Sequence, residues 1–525
     1  MATAGTASID LFVDRPRQAG SAFPLNRKTM QTSAATVHER PAFLGSTKQL
    51  LIGGQWVPAA SGEAFDTFNP ADGTVIGRLA RGGPVDIDRA VAAARAAFEG
   101  PWSRWKPIER QRLLLRINDL LLAHAEELAV LETMDMGAPL SRTRSTVQWI
   151  SQTILHFASC TGAATTTTSG HSLPGEVMAL THKTPLGVVG GIIPWNGPLG
   201  GQWWILGPTL ATGCTCVLKP AEDASLSVLR FAEIMAQAGV PDGVMNIVTG
   251  YGSEAGSALA AHPGVDKISF TGSTETGRKI VAASAGNLKR LQLELGGKSP
   301  DIVFADADLD IAVPGAAMGV FSNSGQICYS GTRLFVQRRV QEEFVERLRH
   351  FSAGLKVGNG LQPDVDLGPL ISARQLDRVM GYVKIGSEEG AVLAAGGARL
   401  GNELANGYFV EPTVFSDVAN TMAIAREEIF GPVISVIPFD TVDEVLKMAN
   451  DSEFGLAGGV WTRDLSTAHR VSQGIRSGTV WVNCYGMVDP TVGFGGCKAS
   501  GYGWKGSTEH VESFLQRKAV YINLN

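Results

Sequence analysis

The stretch that decides the fold is Leu-Gly-Val-Val-Gly-Gly-Ile-Ile at 186–193, an apolar run of strand length that begins a regular alternation of strands and helices. Helical runs such as 225–238 separate it from later apolar runs. Four further strands are predicted at 214–219, 245–249, 267–270 and 290–295. Five such strand–helix units with short loops predict an α/β fold with a doubly wound parallel sheet, which binds ligands where its strands end.

Two helices are predicted upstream of this region. The first begins with Asp86 as its N-cap and ends before Gly100, and its apolar positions are Ile87, Val91, Ala94 and Phe98. The second begins at Pro107, and its side chains that point toward a core are those of Leu113, Ile117, Leu121 and Leu128. Each helix is therefore expected to bury one apolar face.

Composition and charge restrict the class of protein. The chain has 525 residues, of which 44% are hydrophobic and 18% charged, with a net charge of −5. Such a chain is long enough for two to three domains with substantial cores. The sequence has no basic block of the kind that binds nucleic acid. It also has no apolar stretch of the roughly 18 residues that a membrane span needs. Residues 1–48 lack both a regular pattern and the apolar region of a secretory signal, so a flexible extension is predicted there.

Cysteine usage indicates the compartment and argues against a metal site. Six cysteines in so long a chain do not form a disulfide scaffold, which favours a reducing, cytoplasmic location. No Cys-x-x-Cys pair occurs and the nine histidines do not cluster at ligand spacing, so no metal is predicted. Most of these thiols are expected to be small buried hydrophobes.

Two glycine-rich segments carry a thiol and a carboxylate 34 positions apart (328 − 294). Leu-Glu-Leu-Gly-Gly-Lys at 293–298 contains Glu294, and Phe-Ser-Asn-Ser-Gly-Gln-Ile-Cys at 321–328 contains Cys328. A thiol attacks carbon only as the thiolate, and an unperturbed cysteine with a pKa of roughly 8.5 is mostly protonated at neutral pH. A carboxylate can remove that proton and later deprotonate a water molecule. The pair indicates chemistry through a thioester.

Six short motifs extend this interpretation. Three surround the thiol and the carboxylate: Leu-Glu-Leu-Gly-Gly-Lys-Ser-Pro at 293–300, Gly-Gln-x-Cys at 325–328 and Glu-Glu-Ile-Phe-Gly-Pro-Val at 427–433. The others are Pro-Trp-Asn at 194–196, Lys-Pro-Ala-Glu at 219–222 and Phe-Thr-Gly-Ser-Thr-Glu-Thr-Gly at 270–277. In order and spacing, these motifs resemble the hydrolytic, NAD(P)-dependent class of the aldehyde dehydrogenase superfamily. The resemblance runs from about Leu50 to the C-terminus.

The resemblance implies a domain organisation. A Rossmann-like dinucleotide-binding domain is expected at 49–165 and 186–296, followed by a second α/β catalytic domain at 297–500. Strand-like alternation at 176–184 and 518–524 could belong to ordinary edge strands. In the family such strands form a small β oligomerisation arm that completes a neighbour's sheet, which predicts an arm at 166–185 and 509–525 and a homodimer or homotetramer.

The resemblance also implies catalytic roles. Cys328 is expected to attack an aldehyde, and Asn196 with the backbone N–H of Cys328 to stabilise the resulting oxyanion. Hydride then passes to the nicotinamide, and water activated by Glu294 hydrolyses the thioester to a carboxylic acid.

A cofactor cleft is implied as well. Glu222 follows a strand end, where its carboxylate can bind both ribose hydroxyls and repel a 2′-phosphate, which favours NAD over NADP. The loop at 250–256 is one residue longer than the usual dinucleotide fingerprint and matches the family's own variant. The predicted cofactor residues are Ile193, Trp195, Lys219, Glu222, Gly252, Gly256, Gly272, Ser273, Gly277, Leu295, Glu428 and Phe430.

Departures from the family pattern predict a wide pocket. Gly197 and Ser322 stand where relatives often have larger groups, which favours a bulky hydrophobic or aromatic aldehyde. The predicted pocket consists of Gly197, Trp204, Ser322, Ile327, Tyr329, Val488 and Phe494, with Trp203 as another apolar wall. Many relatives also pair a glutamate at position 505 with a lysine at position 205. This chain has Lys505 and Ile205, which questions a proton relay through that pair.

Two alternatives stay open. A coenzyme A-acylating semialdehyde dehydrogenase would use the same thiol, but such relatives typically lack the glutamate at position 294. A non-catalytic binding protein on this fold would have no reason to keep Cys328, Glu294 and Asn196 together.

Overall fold

Two large sheets and a small third one organise the chain in its computed structural model, which describes residues 41–525. Most of the predicted N-terminal extension, residues 1–40, lies outside the described residues. The remaining part of the predicted extension, residues 41–48, contains the short turn Ala42–Gly45, which buries Leu44 against the core. Lys48 in the same part pairs with Leu79.

The first sheet has eight strands and confirms the predicted α/β class. From edge to edge they are Gln55–Val57, Leu50–Ile52, Met245–Ile247, Thr215–Pro220, Val188–Ile193, Lys267–Thr271, Arg290–Glu294 and Gly501–Tyr502. The five central strands are parallel and begin and end within two residues of their predicted bounds. Strand order reverses at Val188–Ile193, since Thr215–Pro220 lies on one side of it and Lys267–Thr271 on the other. Such a switch point leaves a crevice at the carboxyl ends of the strands.

Helices cover this sheet and bury the apolar faces that the sequence predicts. In chain order they are Pro84–Glu99, Pro107–Ala123, Ala125–Met136, Leu140–Ser159, Trp203–Thr212, Leu226–Gln237, Ser257–Ala261 and Thr274–Ser284.

Two details of the first helices differ from the prediction. Asp86 is not the N-cap but the third helical residue, because Pro84 supplies a helical φ two positions earlier. Its carboxylate accepts a hydrogen bond from the Gly83 N–H at 3.1 Å. The helix that begins at Pro107 ends at Ala123, so Leu128 belongs to the next helix.

The second sheet has seven strands and lies in the C-terminal half. From edge to edge they are Val392–Ala395, Thr413–Ser416, Val433–Phe439, Arg333–Gln337, Pro300–Val303, Ala457–Trp461 and Thr479–Val482. All neighbours pair in parallel except the first two. The principal helices that accompany it are Leu309–Phe321, Arg338–Ala353, Ala373–Glu388, Val442–Asn450 and Leu465–Gly474. The central strands Arg333–Gln337 and Val433–Phe439 are buried on both faces, which explains their continuous apolar character.

The third sheet joins the two strand-like segments that the sequence singles out. Leu515–Asn523 pairs antiparallel with Val177–Pro185, which also pairs with Thr166–Thr168. Large apolar side chains on Leu515–Asn523 face solvent, including Tyr521. The role of this sheet in assembly stays a prediction. Among residues 41–525, no helix combines the length and the apolar character that crossing a membrane requires.

Candidate active site

A strained loop positions the Cys328 thiol. The helix Leu309–Phe321 ends in a short turn in which Asn323 and Ser324 have left-handed backbone angles, with φ of 54° and 55°. Gly325 follows with φ of +74°, and a Cβ there would lie 1.9 Å from the carbonyl oxygen of Gly431. Consecutive residues in this region cost conformational energy, so the surrounding structure must hold them. Cys328 therefore follows a loop of defined rather than variable geometry.

Side-chain hydrogen bonds fix the conformation of this loop. The Gln326 side chain accepts from the Ile371 N–H at 2.9 Å and donates to the Asn323 carbonyl at 3.2 Å. The Ser324 hydroxyl donates to the carbonyl of Gly368 at 2.7 Å. Two side chains, through three hydrogen bonds, thus connect the loop to itself and to the segment at 368–371.

Asn196 connects the first sheet to this loop. It follows the strand Val188–Ile193 at the switch point, and its Nδ2 donates to the Gln326 carbonyl at 2.8 Å. The Asn323 amide in turn donates to the Asn196 carbonyl at 3.1 Å. A primary amide carries two N–H groups, so one remains after the bond to Gln326. The structure therefore brings Asn196 and Cys328 together although 132 positions separate them (328 − 196).

Glu294 ends the strand Arg290–Glu294 and is only 2% exposed. Neither carboxylate oxygen has a hydrogen-bond partner among the described residues. Burial raises the pKa of Glu294 to about 7, while the positive charge of Lys505 and the N–H dipole of Gly496 act in the opposite direction. A carboxyl group with such a pKa can accept and release a proton near neutral pH.

The thiol itself is not activated by its protein surroundings. Burial raises the pKa of Cys328 to about 12, and the negative charges of Glu294 and Glu428 add to the rise. Lys505 opposes it. Cys328 is thus a neutral thiol at physiological pH and needs a base or another positive charge to become a nucleophile.

Lys505 is a buried cation next to this pair. It is 5% exposed, and its Nζ donates to the Thr271 hydroxyl at 2.6 Å. Its backbone forms two hydrogen bonds of 2.7 Å with Phe494, and Thr271 lies opposite Glu294 in the sheet register. Burial lowers the pKa of Lys505, while the charges of Glu294 and Cys328 oppose that change. Ile205 is buried against the strand Val188–Ile193 and provides no charge.

A polar crevice lies at the ends of the central strands. Lys219, 2% exposed, donates from Nζ to Glu222 at 2.9 Å. Burial alone would raise the pKa of Glu222, but Lys219 lowers it overall, so the carboxylate is ionised. Gly256 lies against the Lys219 side chain, and a Cβ at Gly252 would meet only open space. The structure thus gathers four predicted cofactor residues.

The next strand leads into a helix whose first turn is capped. Ser273 caps the helix Thr274–Ser284 by accepting from the Thr276 N–H at 3.2 Å. A Cβ at Gly277 would lie 2.7 Å from Leu295, and a Cβ at Gly272 would lie 2.5 Å from the Phe270 ring. Both glycines permit close packing that positions the start of this helix, where N–H groups favour an anion.

Glu428 and Phe430 approach the same crevice from the second sheet. Glu428 accepts from the Gly297 N–H at 3.0 Å, and burial raises its pKa to about 7. Phe430 has φ of 62°, a costly value for an aromatic residue, and meets the Trp195 ring edge-on with centroids 5.2 Å apart. Ile193, which precedes this tryptophan, is 2% exposed at the end of its strand.

Aromatic residues surround the thiol. Tyr329 lies 5.5 Å from Trp481 and 5.8 Å from Phe494 between ring centroids, and Val488 packs on the same cluster. The other predicted pocket residues are buried or partly buried: Trp204, Ser322 and Ile327. Gly197 borders open space, since a Cβ there would have no neighbour within 4 Å. The expectation for Trp203 is wrong, because it is fully buried against Phe231 in the main core.

Comparison with known proteins decides the family. The sequence model described as the aldehyde dehydrogenase family matches residues 56–520. The chain belongs to the aldehyde dehydrogenase family. It is 46% identical to the putative aldehyde dehydrogenase DhaS of Bacillus subtilis over 92% of this chain and 97% of that protein. It is 44% identical to the mitochondrial benzaldehyde dehydrogenase of Antirrhinum majus over 94% of this chain and 92% of that protein.

A solved structure supports the same assignment. The NAD⁺ complex of the aldehyde dehydrogenase from Bacillus cereus is 43% identical and has a TM-score of 0.90. The match covers 92% of this chain and 98% of the other.

Sequence reasoning missed several residues at the site of this aldehyde dehydrogenase. Trp481 and Tyr485 both contact Tyr329, the latter by donating its hydroxyl to the Tyr329 carbonyl at 2.7 Å. Their proximity in sequence to Val488 is the signal that could have indicated them. Trp149 meets Trp204 at 5.0 Å from a distant helix, and no local pattern marks it. Among the described residues, no group of histidine, cysteine, aspartate or glutamate side chains could hold a metal ion.

Proposed function

We propose that this NAD-dependent aldehyde dehydrogenase oxidises an aldehyde to its carboxylic acid through a thioester on Cys328, which water activated by Glu294 hydrolyses. The observation that carries the proposal is the convergence of three separate segments on one point. The Asn196 amide is bonded to the loop that ends in Cys328, and Lys505 acts electrostatically on both Cys328 and Glu294.

The residues of the crevice fit NAD. Bound there, NAD supplies the acceptor for the hydride that leaves the substrate carbon. The ionised Glu222 is held by Lys219 at a strand end, where its carboxylate can accept hydrogen bonds from two ribose hydroxyls. The same negative charge disfavours the 2′-phosphate of NADP. The open space at Gly252 and the capped helix at Thr274–Ser284 leave room and N–H groups for a pyrophosphate.

The protein groups divide the chemistry between them. Glu294 takes the proton of the neutral Cys328 thiol, and the sulfur attacks the aldehyde carbon. The second N–H of Asn196 and the backbone N–H of Cys328 stabilise the oxyanion, with one such donor contributing about 3 kcal/mol. Glu294 then releases that proton to solvent, and after hydride has left it deprotonates the water that hydrolyses the thioester. Its pKa of about 7 lets it return to the carboxylate form between the two steps. A buried carboxyl in this role favours hydrolysis over acyl transfer to coenzyme A.

The pocket favours a bulky hydrophobic or aromatic aldehyde. Gly197 leaves space where a larger residue would narrow the entrance, and the aromatic rings of Tyr329, Trp481 and Phe494 line the approach to the thiol. Rings offer large apolar area in fixed geometry. The similarity to a benzaldehyde dehydrogenase is in keeping with this substrate class.

We also propose an assembly and a location for the protein. The sheet of Val177–Pro185 and Leu515–Asn523 has open edges and exposed apolar side chains, which a second copy of the chain would cover in a homodimer or homotetramer. The free cysteines among the described residues suit a reducing, cytoplasmic location.

Two variants test the catalytic assignment. Cys328→Ala is expected to bind NAD but to produce no NADH from benzaldehyde, whereas Cys160→Ala, at another partly exposed thiol, should retain wild-type turnover. Glu294→Gln is expected to release at most one equivalent of NADH per active site, in a burst slowed by the loss of the base for Cys328, and then to stall because hydride transfer precedes hydrolysis. Steady turnover by either active-site variant at the wild-type rate would refute its assigned role.

A further inference from the structure

One arginine near the substrate pocket has no partner in the protein. Arg142 lies in the first turn of the helix Leu140–Ser159 and is only partly exposed. Within residues 41–525, its guanidinium forms no hydrogen bond or ion pair, although burial lowers its pKa. Arg144, two positions later, is exposed and pairs with Glu126 at 2.6 Å. A charge removed from water without a partner is costly, which makes Arg142 the unusual member of this pair.

The helix geometry directs Arg142 toward the pocket. Arg142, Thr146 and Trp149 are spaced i, i+4 and i+7 and therefore share one face of the helix. All three are partly exposed. A Cβ at Gly200 would lie 3.4 Å from the Thr146 methyl and 3.5 Å from the Trp149 ring, so this face lies across from the turn that follows Gly197.

Arg142 also acts electrostatically on the residue that follows Cys328. Burial raises the pKa of Tyr329, and the positive charge of Arg142 opposes that rise, so the two side chains lie within electrostatic reach. Tyr329 directly follows Cys328. The guanidinium therefore lies within electrostatic range of the residue that follows the thiol and belongs to the aromatic wall of the pocket.

The nearby acidic group does not neutralise Arg142. Glu132 acts on it electrostatically, but its two oxygens accept hydrogen bonds from the Leu199 N–H and the Ser227 hydroxyl. Burial also raises the pKa of Glu132 to about 7, which reduces its negative charge at neutral pH. Arg142 thus keeps both its charge and its five N–H donors for another group.

We propose that Arg142 binds a carboxylate on the substrate, so that the preferred aldehyde is an aromatic or similarly extended one with an anionic group at the end remote from its carbonyl. A planar guanidinium donates two parallel hydrogen bonds to a carboxylate, which a neutral ester of the same size cannot accept equally well. The inference rests on the proposed function, because it takes Cys328 as the point where the aldehyde carbon reacts.

The test compares three kinds of aldehyde of related shape: unsubstituted, acid and ester. These are benzaldehyde, 4-carboxybenzaldehyde and its uncharged methyl ester, with the 3-substituted acid and ester as a second pair. The kcat/KM with NAD is measured from NADH absorbance for wild type, Arg142→Gln, Arg142→Lys and the matched control Arg144→Gln. Wild type is expected to prefer at least one acid over its ester by about tenfold or more, the size of one charged hydrogen-bonded contact.

The variants separate recognition from structure. Arg142→Gln should remove the preference for the acid while benzaldehyde changes by less than about twofold, and Arg142→Lys should keep part of it because the charge remains. Arg144→Gln should change nothing. If Arg142→Gln does not fold, the loss of acid preference with added salt in the wild type and its partial retention in Arg142→Lys decide the question.

Two results would overturn the inference. One is turnover of benzaldehyde by the wild type without preference for either acid over its ester. The other is an equal fall in kcat/KM for all three aldehydes in Arg142→Gln, which would make Arg142 a structural residue. Failure of the wild type to oxidise any of the aldehydes would instead count against the proposed function, so the two failures are distinguishable.

Discussion

Replacement of Lys505 by methionine should move the pH dependence of turnover to higher pH. Lys505 is a buried positive charge that acts on both Glu294 and Cys328, and among the described residues no other cation acts on Glu294, whose pKa is otherwise lowered only by the N–H of Gly496. Methionine has similar length and volume and removes the charge together with the hydrogen bond to Thr271. Loss of that charge disfavours the ionised carboxylate, so the pKa of Glu294 should rise further above its present value of about 7.

Coulomb's law indicates the size of the effect. At a separation of roughly 6 Å and an effective dielectric constant of about 20, two unit charges interact with about 3 kcal/mol. This corresponds to about two pH units for full loss of the interaction, and solvent entering the space would reduce it to about one. The base form of Glu294 would then be scarce at pH 7, and steady-state turnover would fall about tenfold or more while recovering at alkaline pH.

The assay separates the two steps in which Glu294 takes part. The NADH burst and the steady-state rate are measured from pH 6 to pH 10 for wild type, Lys505→Met and Lys505→Arg. The arginine variant keeps the charge, so the acidic limb of its pH–rate profile should lie near that of the wild type. Lys279→Met, which removes an exposed lysine paired with Glu275, is the control and should leave the profile unchanged. An unshifted acidic limb in Lys505→Met, with normal folding, would refute the reasoning.

Two further predictions concern cofactor choice and pocket size. Glu222→Thr should narrow the preference for NAD over NADP by about tenfold, the order of 1.4 kcal/mol, because it removes a negative charge from the position of the 2′-phosphate. The ratio of kcat/KM values with the two cofactors measures this, and equal wild-type efficiency with both would contradict it. Gly197→Phe should lower kcat/KM for aromatic aldehydes and spare acetaldehyde, since the ring would occupy the open space at Gly197. Each methylene or ring carbon of the substrate that the wild-type pocket buries should add roughly 0.8 kcal/mol to the binding free energy. A wild type that prefers acetaldehyde over all bulky aldehydes would show that the pocket is closed.

Much of the fold was predictable because its signals are local. Apolar runs of strand length separated by helical runs predict a parallel sheet wherever they occur, and the five central strands lie within two residues of their predicted bounds. The errors also have local causes. The first helix begins at Pro84, two residues before Asp86, although Asp86 is the residue type that caps helices. A break at His124 divides one continuous amphipathic pattern into two helices.

The direction of a side chain is harder to predict than the element that carries it. Trp203 and Trp204 are adjacent in one helix, where successive residues point about 100° apart. Trp203 enters the main core, while Trp204 meets Trp149 and stays partly exposed. Only the packing of the helix against its neighbours decides which of the two could approach a substrate.

By itself, the sequence determined the α/β class, the family and the identity of the residues proposed as nucleophile and base, because strand periodicity and short motifs are properties of contiguous residues. Tertiary structure decided what surrounds those residues. Lys505 acts on Glu294 from 211 positions away (505 − 294), and Arg142 lies near Tyr329 without a partner of its own. Burial, charge and the lack of a partner depend on groups that are distant in the chain, so only the folded protein reveals them.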